Sequence, residues 1–67
     1  MQLTHNDAMV TVPEGTNITD FLALRNVKHP KWIVFELNGE IIAQDKWSTT
    51  VLQEDDDVSS DYLAGGG

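Results

Sequence analysis

The chain has no cysteine among its 67 residues. This excludes disulfide cross-links, thiol nucleophiles and thiolate metal sites, and it is consistent with a reducing compartment. Long apolar runs are also missing: "FLAL" and "WIVF" fall far short of the roughly 20 residues that span a bilayer. The first ten residues, MQLTHNDAMV, lack the basic and apolar regions of a signal peptide. We therefore expect a cytoplasmic protein that does not enter a membrane.

Basic residues are scarce. Four Lys and Arg residues stand against eleven Asp and Glu residues, which gives a formal charge of −7. Such a field repels nucleic acid and anionic membrane surfaces, so we expect neither as a partner. It would attract a protein with a basic face, although acidity that merely keeps a small domain soluble explains the composition equally well.

The length leaves little room for an enzyme pocket. A chain of 67 residues forms one domain, and a domain of this size buries only about 60% of the surface that its unfolded form exposes. No linker, repeat or low-complexity region divides it. A binding module, a carrier or a small subunit is a better expectation than a classical enzyme, and we expect a monomer.

The first half of the chain predicts two short strands followed by a helix. Asn6-Asp7 favours a tight reversal between the strands, and Pro13-Glu14-Gly15 ends the second one. In "TNITDFLALRNV", Thr16 or Asn17 can cap a helix, and Asn17 with Asp20 has capping-box spacing. Arg25 falls in the last turn, where its stem can lie on the core. The apolar stripe of this helix is predicted to comprise Ile18, Phe21, Leu22 and Leu24.

The second half predicts a hairpin, a connector and a last strand. "KWIVFELNGEIIAQ" is a hairpin that turns at Asn38-Gly39, "DKWSTT" is an irregular connector, and "VSSDYLA" is a strand after the acidic turn "QEDDD". One sheet face and one helix stripe can bury each other. The order therefore predicts an α+β, single-domain β-grasp fold, with a mixed four- to five-stranded sheet on one main helix. Other α+β arrangements share this order of elements.

Three stretches make the chain similar to a known family: EGTNITDFL at the helix entry, ELNGEIIAQDKWSTTVL in the hairpin and connector, and the final Gly65-Gly66-Gly67. The chain resembles the ThiS-type ubiquitin-like sulfur carriers of thiamine biosynthesis, which are related to the MoaD subunits of molybdopterin synthase. The Asn-Gly turn, and Trp47 ahead of "TTVL", resemble the thiamine carriers more than the molybdopterin ones.

The resemblance implies a protein co-substrate that is not itself an enzyme. Residues 1–64 would form the carrier domain and residues 65–67 a flexible tail. Gly67 would be adenylated by an E1-like adenylating enzyme, which uses ATP, and then converted to a thiocarboxylate by a sulfur-transfer enzyme. The sulfur would pass to thiazole synthase. No cofactor or metal is expected to be bound by the carrier itself.

The resemblance also assigns roles to the residues near the tail. Gly65 and Gly66 would thread the partner's active site, because glycine has no side chain and permits backbone angles closed to other residues. Tyr62, Leu63 and Ala64 either finish the last strand or dock the tail onto the activating enzyme.

Two departures from the family pattern concern the last strand. The chain has Asp55-Asp56 where the family usually has Gly-Asp, and the strand that follows reads Val58-Ser59-Ser60-Asp61 where the family is more apolar. A polar run in an internal strand conflicts with burial on both sides. We therefore predict that the last strand is short or frayed.

Other residues that could carry chemistry favour structural roles. Asp55 to Asp57 lack the alternating ligands and turn glycine of a calcium loop, so we expect a solvated turn. His5 and His29 are isolated, and we expect neither a ligand nor a catalytic group. Trp32 and Trp47 could form a partner surface, but large aromatic residues in so small a domain usually supply core area.

Three alternatives stay open. The chain could deliver sulfur to molybdopterin or to another metabolite. It could be a ubiquitin-like modifier, joined to lysine side chains through the same activated glycine. It could also be a plain interaction domain whose glycines have no role.

Overall fold

The computed structural model describes residues 1–63, which form one five-stranded sheet and one α-helix. Two 3₁₀ turns, Pro30–Trp32 and Gln44–Thr49, lead into and out of the second half of the sheet. The elements in chain order are β1 Gln2–His5, β2 Ala8–Thr11, α1 Ile18–Leu24, β3 Ile33–Leu37, β4 Glu40–Ile42 and β5 Asp57–Tyr62.

The strands lie in the order β2-β1-β5-β3-β4. β1 pairs in parallel with β5, and the other neighbours are antiparallel. The last strand of the described chain is thus the central strand of the sheet, with the first strand beside it. A mixed sheet that buries one face under a single helix is the β-grasp arrangement, which confirms the predicted fold.

The predicted turns are confirmed by their backbone angles. Asn6 and Asp7 have φ values of 50° and 69°, and Asn38 and Gly39 have φ values of 52° and 85°. Both pairs occupy the left-handed region, which a two-residue hairpin of this type requires at both central positions. Asn, Asp and Gly are the residues that reach this region at the lowest energetic cost.

Helix α1 begins as predicted but buries a narrower stripe. The side chain of Asn17 accepts a hydrogen bond of 2.7 Å from the backbone N–H of Asp20, which caps the first turn. Ile18, Phe21 and Leu22 are buried, whereas 54% of Leu24 is exposed, so its predicted place in the stripe is wrong. At 100° per residue, Leu24 lies about 200° around the helix from Leu22 and points away from the sheet.

Aromatic rings form the centre of the core. Phe35 contacts Phe21 and Trp47 edge-to-face, with both centroid distances at 6.3 Å. The indole N–H of Trp47 donates to the carbonyl of Ile42 at 2.9 Å, so its polar atom is satisfied. The core role predicted for Trp47 is confirmed. For Trp32 it is wrong, because 46% of this side chain is exposed in a 3₁₀ turn that buries no residue.

Strand β5 contradicts the prediction of a short or frayed strand. Its six residues make it the longest strand described, and it forms five residue pairs with β3 and two with β1. The polar residues fit because they alternate: Val58 is buried on the helix face, while Ser59 and Asp61 lie on the opposite face. Ser60 shares the face of Val58, and hydrogen bonds satisfy both its hydroxyl and its backbone.

Candidate functional site at the end of strand β5

The candidate site is the end of β5 from which the glycine segment continues. After Tyr62, the backbone N–H of Leu63 still donates to the carbonyl of Trp32 at 3.0 Å. Leu63 is the last residue described. Ala64, Gly65, Gly66 and Gly67 lie outside the described residues, so the roles predicted for them stay predictions.

Three large side chains are half exposed at this end of the sheet, and we call them the exit surface: Trp32 is 46% exposed, Tyr62 57% and Leu63 47%. Tyr62 lies opposite Ile33 in the sheet, and Ile33 directly follows Trp32 in sequence. Its hydroxyl donates to the carbonyl of Lys28 at 2.7 Å, which fixes the ring against the loop after α1. The exit surface offers an apolar contact area directly ahead of the glycines, as docking at Tyr62 and Leu63 would require.

A polar cluster behind the exit surface holds β5 to β1 and α1. His5 Nε2 lies 2.8 Å from Ser60 Oγ, and Arg25 Nε donates to His5 Nδ1 at 3.2 Å. Because Arg25 Nε can only donate, Nδ1 must accept, and the ring proton therefore sits on Nε2 and is donated to Ser60. The ring also packs edge-to-face on Phe21 at a centroid distance of 5.0 Å.

The electrostatics of His5 agree with this tautomer. Burial lowers the pKa of His5 below its ordinary value, the Arg25 charge lowers it further, and Asp61 opposes both effects. His5 is thus held in its neutral form. A Ser-His pair that activates a nucleophile needs an unprotonated nitrogen facing the hydroxyl. Here that nitrogen donates, so the pair joins two strands and does not activate Ser60.

Asn6 extends the attachment of β5 beyond the end of β1. Its amide donates to the carbonyl of Ser60 at 3.2 Å, and its side-chain oxygen accepts from the N–H of Ser60 at 3.0 Å. One side chain thus replaces the strand partner that β1 no longer supplies. The sequence predicts neither a ligand nor a catalytic role for His5, and only a turn for Asn6. The visible signal was that His5 follows Leu3 with strand period on the buried face.

The acidic residues before β5 form a turn. Asp56 accepts hydrogen bonds from the backbone N–H of Gln53 at 2.7 Å and from the Asn38 amide at 3.0 Å. Asn38 in turn accepts from the N–H of Asp57 at 2.9 Å. No group of three or more metal-ligating side chains occurs within residues 1–63. The carboxylate of Asp56 therefore stabilises the turn that leads into β5.

The described part of the chain contains no helix with the length and apolar character needed to cross a membrane. Its one α-helix has seven residues.

The family model of the ThiS family matches residues 1–59 of the chain. The chain belongs to the ThiS family. Its structure is similar to the crystal structure of a thiamine biosynthesis protein (ThiS) from Geobacter metallireducens, with 33% sequence identity, a TM-score of 0.89 and complete coverage of both chains. It is also similar to an NMR solution structure of a thiamine biosynthesis protein from Geobacter metallireducens, with 33% identity, a TM-score of 0.80 and coverage of 100% of this chain and 88% of that one. A comparison with curated proteins finds no match.

Membership of the ThiS family confirms the family resemblance seen in the sequence. The family match ends at residue 59, one residue before Ser60. The exit surface residues Tyr62 and Leu63 therefore lie beyond the matched residues. The likeness to the crystal structure extends over the whole chain.

Proposed function

We propose that the protein is a sulfur carrier of thiamine biosynthesis. Membership of the ThiS family carries the proposal, together with a likeness over the full chain to a ThiS structure. The described body supports a carrier role, because its best-placed histidine and serine are committed to holding strands together. The protein is then a co-substrate that other enzymes act on.

In the proposed cycle the reacting group is the carboxylate of Gly67. A carboxylate is a poor electrophile, so one of its oxygens first attacks the α-phosphate of ATP and pyrophosphate leaves. This step belongs to an E1-like adenylating enzyme. A sulfur nucleophile, supplied by a sulfur-transfer enzyme, then attacks the acyl carbon and displaces AMP, which leads to the thiocarboxylate. Thiazole synthase then accepts the sulfur, and an oxygen atom from water or from the sulfur acceptor replaces it on the acyl carbon, so the carrier returns to the carboxylate.

The glycines suit this chemistry. Gly65 and Gly66 present no side chain to the walls of a narrow channel and add no steric barrier beside the acyl carbon. The end of β5 supports the role of the segment, since hydrogen bonds between Ser60 and Asn6 and between Leu63 and Trp32 hold the strand through Leu63. A fixed strand end keeps the approach of the tail defined, and two enzymes in turn can recognise the same body.

Intact-mass analysis tests the proposal. The protein is incubated with ATP, the cognate adenylating enzyme and a sulfur source, and the mass should rise by the difference between sulfur and oxygen. A variant that lacks Gly66 and Gly67 should keep its fold and gain no mass. Formation of thiazole phosphate with added thiazole synthase identifies the destination. Covalent conjugates with other proteins in lysate would instead indicate a ubiquitin-like modifier.

A further inference from the structure

Basic charge is concentrated in one short segment of this acidic protein. Three of its four Lys and Arg residues, Arg25, Lys28 and Lys31, lie within seven positions, and residues 21–35 contain no Asp or Glu. Residues 36–57, by contrast, carry seven of the eleven acidic residues. The formal charge of −7 therefore describes the molecule as a whole but not this segment.

The fold brings this segment to the end of β5. The carbonyl of Lys28 accepts the hydroxyl of Tyr62, and the residue after Lys31, Trp32, accepts the N–H of Leu63. Arg25 reaches the same strand through His5, which is bonded to Ser60. We call Arg25, Lys28 and Lys31 the basic rim, since they lie beside the exit surface.

The charges of the basic rim are accessible. All three residues are exposed. Within residues 1–63 the only ion pair joins the N-terminal amino group to Glu14, so no described carboxylate forms a salt bridge with the rim. Asp61, the acidic residue of β5 next to Tyr62 in sequence, pairs with Val34 and lies on the sheet face opposite to Val58 and Ser60.

Tail length decides which partner must meet this surface. The inference rests on the proposed function, in which the reacting carboxyl belongs to Gly67, four residues after Leu63. Four extended residues span at most about 14 Å. The active site that adenylates Gly67 must therefore lie within that distance of Leu63. An enzyme surface that encloses so short a tail also covers the exit surface and the neighbouring rim.

We propose that the adenylating enzyme docks on the exit surface and the basic rim through an apolar recess bordered by acidic side chains. The recess takes Trp32, Tyr62 and Leu63, and the acidic border faces Lys28 and Lys31. Apolar burial supplies most of the affinity, and the charges orient the approach and raise the association rate. The partner surface is therefore acidic, whereas the negative net charge of the carrier by itself would predict a basic one.

Single charge reversals test the inference with a matched control. Lys28→Glu and Lys31→Glu change the rim, whereas Lys46→Glu makes the same change in the Gln44–Thr49 turn, at a residue that is also exposed. All three variants change the net charge equally. Binding to the adenylating enzyme is measured by stopped flow across a salt series, and adenylation kinetics are measured with the carrier and then ATP as the varied substrate.

At low salt we expect each rim variant to associate about tenfold more slowly than the wild type, and Lys46→Glu to change the rate less than about twofold. The difference should shrink as salt rises, because exposed charges are screened. KM for the carrier should rise in the rim variants while kcat at saturating carrier stays constant. Circular dichroism and melting curves check that each variant is folded.

The inference is overturned if the rim variants associate no more slowly than Lys46→Glu, or faster than the wild type. It is also overturned if only KM for ATP changes, which would place the rim against nucleotide phosphates. These results leave the proposed function intact when the wild-type protein is adenylated normally. Failure of the wild type to be adenylated overturns both.

Discussion

His5 donates a hydrogen bond from Nε2 to the hydroxyl of Ser60, 2.8 Å away, across the parallel pair formed by β1 and β5. The bond joins residues 55 positions apart in sequence and lies two residues before the exposed ring of Tyr62. Since Arg25 occupies the other ring nitrogen, the helix, the first strand and the last strand meet at one imidazole. The contact therefore attaches the end of α1 and strand β1 to the strand that carries Tyr62.

The histidine contact predicts a pH dependence of stability. The pKa of His5 is lower in the folded protein than its ordinary value of 6.5, through burial first and Arg25 second. The folded state therefore binds fewer protons than the unfolded state near neutral pH. The contribution of His5 to the free energy of unfolding is therefore complete above about pH 6.5. It is lost as pH falls through the folded-state pKa, and the free energy of unfolding then changes by at most about 1.4 kcal/mol per pH unit.

The measurement is urea unfolding at several pH values above 5.5, where most carboxylates stay ionised. His5→Asn should flatten the slope. His29→Asn makes the same change at an exposed loop residue whose φ of 55° suits asparagine, and it should retain the slope because His5 is intact. Equal slopes in the two variants would contradict the role given to His5.

Removing the hydroxyl of Ser60 should cost more than removing that of its neighbour. Ser60→Ala leaves the buried His5 N–H without its acceptor, and we expect a loss of about 1–3 kcal/mol in the free energy of unfolding. Ser59 lies on the opposite face, and its side chain makes no hydrogen bond to any of residues 1–63. Ser59→Ala should change stability by about 0.5 kcal/mol or less. Urea denaturation measures the free energy of unfolding of both variants. Similar losses would contradict a stabilising hydrogen bond between His5 and Ser60.

Two leucines of α1 should respond very differently to the same substitution. Leu22 is 3% exposed, so Leu22→Ala leaves a cavity and should cost about 2–5 kcal/mol. Leu24 is 54% exposed, and alanine is the better helix former, so Leu24→Ala should change stability by about 0.5 kcal/mol or less. Thermal and urea unfolding provide the comparison. A large loss of stability in Leu24→Ala would instead support the wider apolar stripe predicted from the sequence.

The left-handed backbone of Asp55 predicts a stabilising substitution. Its φ is 68°, a left-handed conformation that glycine adopts freely and that is strained for a residue with a Cβ. Asp55→Gly should stabilise the fold by up to about 1 kcal/mol, after the entropy that glycine adds to the unfolded chain. Asp55→Ala removes the same carboxylate but retains a Cβ, so it should be less stable than Asp55→Gly by about 1 kcal/mol. An equal or more stable alanine variant would exclude backbone strain as the cause.

Local chemistry accounts for the parts of the fold that could be predicted from the sequence. The Asn6-Asp7 and Asn38-Gly39 turns and the Asn17 cap depend on a few neighbouring atoms, and the structure confirms all three. Strand and helix periods then gave the order of elements. Given that order, burying one sheet face under one helix led to the β-grasp fold.

The errors occurred where a residue depends on a distant partner. The polar strand β5 was predicted to fray because neither His5 nor Asn6 could be assigned to Ser60 from the sequence. Trp32 was assigned to the core by its size alone, although its place in a 3₁₀ turn leaves it exposed.

The candidate site shows the same division. The glycines and the docking residues Tyr62 and Leu63 could be proposed from the sequence and the family resemblance. The basic rim could not, because its position depends on the hydroxyl of Tyr62 reaching the carbonyl of Lys28.

The central place of β5 has a consequence for synthesis on the ribosome. Residues 57–62 follow every other described element, so β1 and β3 have no common neighbour until this segment has left the exit tunnel. A nascent or clipped chain without it would expose two unpaired strand edges, which invite proteolysis or aggregation.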